Sequence, residues 1–237
     1  TGYRPTEVAV DARRGEFNKQ ITVQMLPENT ASQPSGGVIS TKSLAIPKAA
    51  AEAVKKGLQA LNEKKDARQS IEHFQEAIKL HPEYPEAYFL IGTAHMQQKT
   101  FDQAQNAFEK SIKLDADFAM PYYPLAVLLA GQKRYEESDQ LLLRAIELEP
   151  LSWQGPFELG RSYANRQVWD KAITYSEMAC AKQNPASKVH LLMADVYSNT
   201  GRVEKAVNEL ELFIKLDPKS PYLPRVKESL VQLKQQK

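Results

Sequence analysis

PEAYFLIGTAHMQQKTFDQAQNAFEKSIKLDADF, residues 85–118, is one period of a pattern that returns every 34 residues. Counting in steps of 34 from Ser70 lands on Ala104, Ser138, Ala172 and Ala206, a column of small side chains with no insertion or deletion between them. The column Ile78, Ile112, Ile146, Cys180 and Ile214 is apolar throughout, and Leu80, Leu114, Leu148, Lys182 and Leu216 breaks once. Pro82, Pro150 and Pro218 share a further column, with Ala116 and Asn184 between them. A fixed period of this length marks stacked supersecondary units. The register gives five of them: 51–84, 85–118, 119–152, 153–186 and 187–220.

Inside each unit the apolar residues recur at three and four, as in Ile71, Phe74 and Ile78, which predicts amphipathic helices rather than strands. Two such helices fit per unit, joined by a short polar turn such as Gly131–Arg134 or Asn199–Arg202. A proline two residues past the last leucine stops the second helix, because it lacks the amide donor and its ring clashes with the preceding turn. Small residues on both helices, Gly92, Ala126, Gly160 and Ala194 on the first and the Ser70 column on the second, let the two axes approach. One hairpin cannot cover its own apolar faces, so five in line share a core. Residues 221–237 carry Leu223, Val226, Leu230 and Leu233 on one stripe and predict a helix that caps the last hairpin.

The period, with Tyr88, Ile91-Gly92, Ala104, Phe108 and Pro150 at their places in it, resembles the tetratricopeptide repeat (TPR) family, over about 170 of the 237 residues. The resemblance implies an all-α fold, a right-handed superhelix with residues 47–220 as five repeats, and a protein-binding scaffold rather than an enzyme. Three places depart from the family pattern: Gly57-Leu58 reverses the usual order, the second unit lacks its terminal proline, and Ser176 stands where an aromatic is usual. The last predicts altered packing in unit four.

Residues 1–26 read differently. Val8, Val10 and Ala12 alternate, Arg13-Arg14-Gly15 forms a turn signal, and Ile21, Val23 and Met25 alternate again, predicting a β-hairpin. Residues 27–46, with Pro27, Pro34 and Gly36-Gly37, read as a flexible linker. Gly2-Tyr3-Arg4-Pro5 and the two strands resemble the end of a carboxypeptidase-regulatory-like, transthyretin-like β-sandwich. That resemblance implies the remnant of an upstream domain and a bacterial cell-envelope or periplasmic setting. The chain begins at Thr1 rather than methionine, as expected of a processed chain or an excised piece.

Composition narrows the function. A net charge of +2 gives no electrostatic reason to expect nucleic acid, and no stretch approaches the roughly 18 apolar residues of a membrane span. The four histidines, His73, His81, His95 and His190, fall in different columns with no metal-binding spacing, and Cys180 reads as a small buried hydrophobe. No phosphate-binding glycine loop or nucleophile elbow occurs. No cofactor, metal or catalytic residue is expected.

Function then falls to a surface. In the TPR architecture the first helices line the concave side, and their inward stripe changes character along the chain. Unit one offers Glu52, Lys55 and Gln59; units two and three offer Phe89, Leu90, Thr93, Met96, Met120, Tyr123 and Val127; units four and five offer Phe157, Arg161, Asn165, Leu192 and Asp195. This predicts an apolar and aromatic groove for a peptide or protein segment, with Arg161, Asn165 and Asp195 setting direction. A lysine- and arginine-based carboxylate clamp is disfavoured, since only Lys55 fits it. The alternative is a structural or self-association module, its groove or convex face occupied by the N-terminal arm or a neighbouring copy.

Overall fold

The computed structural model describes residues 46–63, 65–182 and 184–235. The expected β-hairpin and linker lie outside them, apart from Ile46, which packs half-buried beside Ala50 and Ala53. All regular structure among the described residues is helical. The order is α1 (Lys48–Asn62), α2 (Ala67–Leu80), α3 (Pro85–Gln97), α4 (Phe101–Leu114), α5 (Tyr122–Gly131), α6 (Tyr135–Leu148), α7 (Gln154–Asn165), α8 (Trp169–Cys180), α9 (Ser187–Asn199), α10 (Val203–Leu216) and α11 (Leu223–Gln235). The first ten form five antiparallel hairpins in an α-solenoid, and α11 closes the end. Helices α2, α6 and α10 each stop two residues before the proline of their column, whereas α4 stops at the equivalent Leu114 without one.

Each hairpin reverses on a single residue in the left-handed region: Lys65 (φ 54°), Lys99 (60°), Lys133 (63°), Gln167 (59°) and Gly201 (71°). In the last four turns the next amide donates to the carbonyl five residues back, as in Thr100 N to His95 O at 3.0 Å and Arg202 N to Tyr197 O at 2.8 Å. That bond satisfies a helix-end carbonyl that would otherwise be orphaned. The first turn is one residue longer, because Asp66 N reaches the carbonyl of Ala60, six residues back, at 2.9 Å. Helix α1 is therefore displaced by one position, which accounts for the reversed Gly57-Leu58. Gly57, rather than residue 58, occupies the close approach.

Those glycines sit where side chains do not fit. A Cβ on Gly92 would run into the Phe108 ring, and one on Gly57 into the ring of Phe74. In unit four a Cβ on Gly160 would meet Ser176 Oγ at 2.6 Å and the Ser176 amide nitrogen at 3.0 Å. With serine in place of an aromatic ring, α7 thus packs against the backbone of α8. The Ser70 column is closed in every unit, and Ser138 also donates from Oγ to the Ala126 carbonyl at 2.8 Å, tying α6 to α5.

The core is uneven along its length. One continuous apolar cluster runs from Ala126 and Leu142 to Val226 and Leu233 of the cap, with Leu223 and Leu230 half-buried against it, the stripe expected of α11. Toward α1 the core divides into three smaller clusters, centred on Phe74, on Ala50 with Tyr84, and on Phe108.

Candidate binding groove on the inner helices

Helix α7 touches α5 on one side and α9 on the other, so the first helices of the last three hairpins are in direct contact. Between α5 and α7, over α6, lies an open pocket of about 250 Å³. Ala126, Val127 and Ala130 of α5 give it an apolar wall, and Tyr135, Ser138 and Leu142 of α6 its floor. Glu158, Arg161, Ser162 and Asn165 of α7 form the opposite, polar wall. The pocket exists because α5 presents two alanines and ends in Gly131 where larger residues would fill the space.

Charge on the polar wall is paired. Arg161 Nε donates to Glu158 Oε2 at 2.9 Å, and the arginine is exposed while the glutamate is half-buried. Ser162 is 9% exposed, and its hydroxyl has no hydrogen-bond partner. A buried hydroxyl without a partner costs about 1–3 kcal/mol. Below it, Arg166 binds Asp139 through both carboxylate oxygens at 2.9 and 2.8 Å, and its guanidinium lies 4.3 Å from the Tyr163 ring centre and 4.9 Å from that of Tyr135. Burial, then the hydrogen bond to Asp139, pushes the Tyr163 phenol up to about 12. This knot fixes α7 against α6 beneath the pocket.

The expected groove residues divide among three places. Val127, Arg161 and Asn165 meet at the pocket. Phe89, Leu90 and Met96 are half-buried and pack into the smaller clusters, Phe89 edge-on to Phe118 at 5.7 Å. Thr93 turns its hydroxyl back to the Phe89 carbonyl at 3.0 Å, whereas Met120 is open to solvent. Tyr123 is half-buried, its hydroxyl donating to Glu149 at 2.8 Å, and burial, then Glu149, raises its pKa well above the ordinary phenol value. Phe157 and Leu192 are only 7% and 8% exposed and belong to the core, with the Lys188 ammonium 4.6 Å from the Phe157 ring centre. Asp195 stays at the surface, accepting from Asn199 Nδ2 at 3.2 Å. The open floor is therefore shorter than the aromatic column suggests, because contact between successive first helices covers part of it.

Ser162 did carry a signal in the sequence: a hydroxyl in the column Ala60, Ala94, Leu128, Val196. Pro124 is the third residue of α5, which starts at Tyr122 and is 10 residues long, against 13 for α3. The proline delays the helix start and leaves the Met120 carbonyl without the amide that position would supply. Away from the pocket, Cys180, His190 and Glu209 bring a sulfur, a ring nitrogen and a carboxylate oxygen within 4.8 Å of one another, a grouping that no sequence spacing announced. No helix among the described residues is long and apolar enough to cross a membrane.

Comparison with known proteins places this geometry. Family models described as "TPR repeat" and "Tetratricopeptide repeat" match residues 59–99 and residues 85–118 and 187–220, respectively. No curated protein sequence matches the chain. Among solved structures, a thermophilic TPR protein of Thermus thermophilus is 19% identical over 78% of this chain and 98% of its own, with a TM-score of 0.63. MamA (41-end) from Desulfovibrio magneticus RS-1 is 17% identical over 75% and 99%, with a TM-score of 0.62. YrrB, described as a TPR protein with an unusual peptide-binding site, is 19% identical over 79% and 97%, with a TM-score of 0.55. At these identities the structures speak for the fold. Residues 59–118 and 187–220 thus match tetratricopeptide repeat models, and the hairpins between them keep the same 34-residue register on the fold of these TPR structures.

Proposed function

We propose that the protein is a non-catalytic scaffold and that the pocket between α5 and α7 seats a short segment of a protein partner. The observation that carries this reading is the Ser162 hydroxyl, buried at the pocket wall without a hydrogen-bond partner. A peptide amide or carbonyl entering between Val127 and Arg161 would complete it while placing a small apolar side chain on the alanine wall. Asn165 and the Arg161–Glu158 pair offer donors and an acceptor at the rim, which suits a polar backbone more than a net charge. YrrB, a TPR protein with an unusual peptide-binding site, offers a parallel for peptide binding on this fold.

The test is selection of displayed peptides on the full 237-residue chain, followed by affinity measurement on the enriched sequence. Ala130→Trp fills the pocket from its rim, and Ser162→Ala removes the hydroxyl. The expected result is at least a ten-fold loss of affinity with Ala130→Trp and a smaller loss with Ser162→Ala. Peptides that bind Ala130→Trp as tightly as the unaltered chain would move the site elsewhere.

A further inference from the structure

We propose that Cys180, His190 and Glu209 form a binding site for a single zinc-class divalent ion at the junction of the last two repeats. Cys180 is the last residue of α8, His190 lies in the first turns of α9, and Glu209 is in the middle of α10. Their donor atoms lie within 4.8 Å of one another, and His190 Nδ1 is already 2.7 Å from Glu209 Oε2. The histidine and glutamate side chains are 8% and 14% exposed, so this is a largely buried cluster rather than a chance meeting of surface groups.

Three columns change chemistry at once to make it. The Cys180 position is isoleucine in every other unit. The His190 position is Tyr88, Tyr122 and Pro156 in units two to four, and the Glu209 position is His73, Ala107, Leu141 and Tyr175. Among the described residues, the junction of the last two repeats is thus the one place in the series where a thiol, an imidazole and a carboxylate coincide.

The donor set selects the ion. Thiolate, imidazole and carboxylate together suit zinc, whereas magnesium and calcium prefer oxygen alone. A tetrahedral zinc holds sulfur and nitrogen about 3.5 Å apart and nitrogen and oxygen about 3.3 Å apart, given its bond lengths. Closing the site thus needs side-chain shifts of about 1 Å or less from the observed positions, with the His190–Glu209 hydrogen bond exchanged for two bonds to the ion. Charge also closes: one thiolate, one carboxylate, a neutral imidazole and a divalent cation sum to zero, so no net charge is buried. Binding transfers the thiol proton to solvent and involves no redox step. Cys180 is half-buried, leaving its solvent side for a water as fourth ligand. The bound ion would pin α8 to α9 and α10.

The chain has one cysteine, so a thiolate-to-metal absorption band can come from no other residue. The tag-free full chain, kept reduced with a phosphine, is titrated with cobalt(II) as the coloured substitute for zinc. The expected result is a near-ultraviolet thiolate-to-cobalt band with the strong visible bands of a four-coordinate ion, saturating at one cobalt per chain and abolished by added zinc. Zinc should also raise the melting temperature, and Glu209→Gln should weaken zinc binding by at least about ten-fold. Absence of the thiolate band in the unaltered chain would overturn the site whatever the variants do. Saturation at one cobalt per two chains would overturn it too, since the ion would then bridge two Cys180 thiols, and unchanged affinity in Glu209→Gln would remove the carboxylate from the ligand set.

Discussion

Lys99 and Lys133 hold a backbone conformation that costs a residue with a Cβ roughly 1 kcal/mol relative to glycine. Gly201, at the equivalent turn of the fifth hairpin, is the residue the geometry favours. Lys99→Gly and Lys133→Gly should therefore each stabilise the fold by about 0.5 kcal/mol, the released strain exceeding the added freedom of the unfolded chain; chemical denaturation of each variant checks this. Glycines elsewhere behave in opposite ways according to what surrounds them. A Cβ added at Gly131 would have nothing within 4 Å, so Gly131→Ala should be neutral or stabilising by up to about 1 kcal/mol at the helix end. Gly160→Ala should cost about 1–3 kcal/mol, because the added carbon meets the backbone of Ser176 and not only its movable hydroxyl. A Gly160→Ala protein that melts with the unaltered chain would mean that α7 and α8 are farther apart than described. None of the four lysine and glutamine turn residues advertises its left-handed backbone in the sequence, whereas Gly92 and Gly160 stand out because their columns are small.

At the scale of the element, the Arg166–Asp139 pair joins the turn after α7 to α6, with each side chain 16% exposed. Asp139→Asn leaves the guanidinium without its anion in a mostly buried place and should cost about 1–3 kcal/mol, with a coupling energy to Arg166→Ala of at least about 0.5 kcal/mol in a double-mutant cycle. Additive single effects would reduce the pair to a surface contact. Helices were the most legible part of the chain, since their apolar spacing and terminal prolines needed no partner to be read. The inner stripe was only partly so. Which of Phe89, Phe157 and Leu192 remain open depends on how closely successive first helices approach, and that distance is set by residues on other helices. Cys180, His190 and Glu209 lie on three helices and at separations of 10 and 19 residues, so only the completed hairpin packing brings them together.

For the whole molecule, the titrating groups define a window of stability. Tyr123, Tyr163 and Tyr197 all have phenol pKa values raised above 10.0 by burial and then by a carboxylate partner. A raised folded value stabilises fully below the unfolded value and is lost as pH climbs through the folded one. His95 has its pKa lowered from 6.5 by burial, so its contribution is present above that value and lost as pH falls. With Cys180 also raised from its ordinary 9.0 by burial and then Glu209, melting temperature should form a plateau between about pH 6.5 and 9 and decline on both sides; a rise in melting temperature from pH 10 to 12 would contradict the tyrosine environments. The division of the core predicts a gradient as well. Amides of α1–α4, backed by small separate clusters, should exchange with solvent through lower-energy openings than those of α7–α10, and hydrogen-exchange mass spectrometry on the full chain reads this directly.

The recurring left-handed turn has a consequence for how such a chain can grow. Four of its five reversals are closed by the same bond, one amide to the carbonyl five residues earlier, so the join inside one hairpin is interchangeable with the join inside the next. A gene segment encoding 34 residues could be duplicated or lost between α3 and α10 without creating a junction the fold does not already contain. Among the described hairpins the first, with its longer reversal, is the block that would not fit elsewhere in the series.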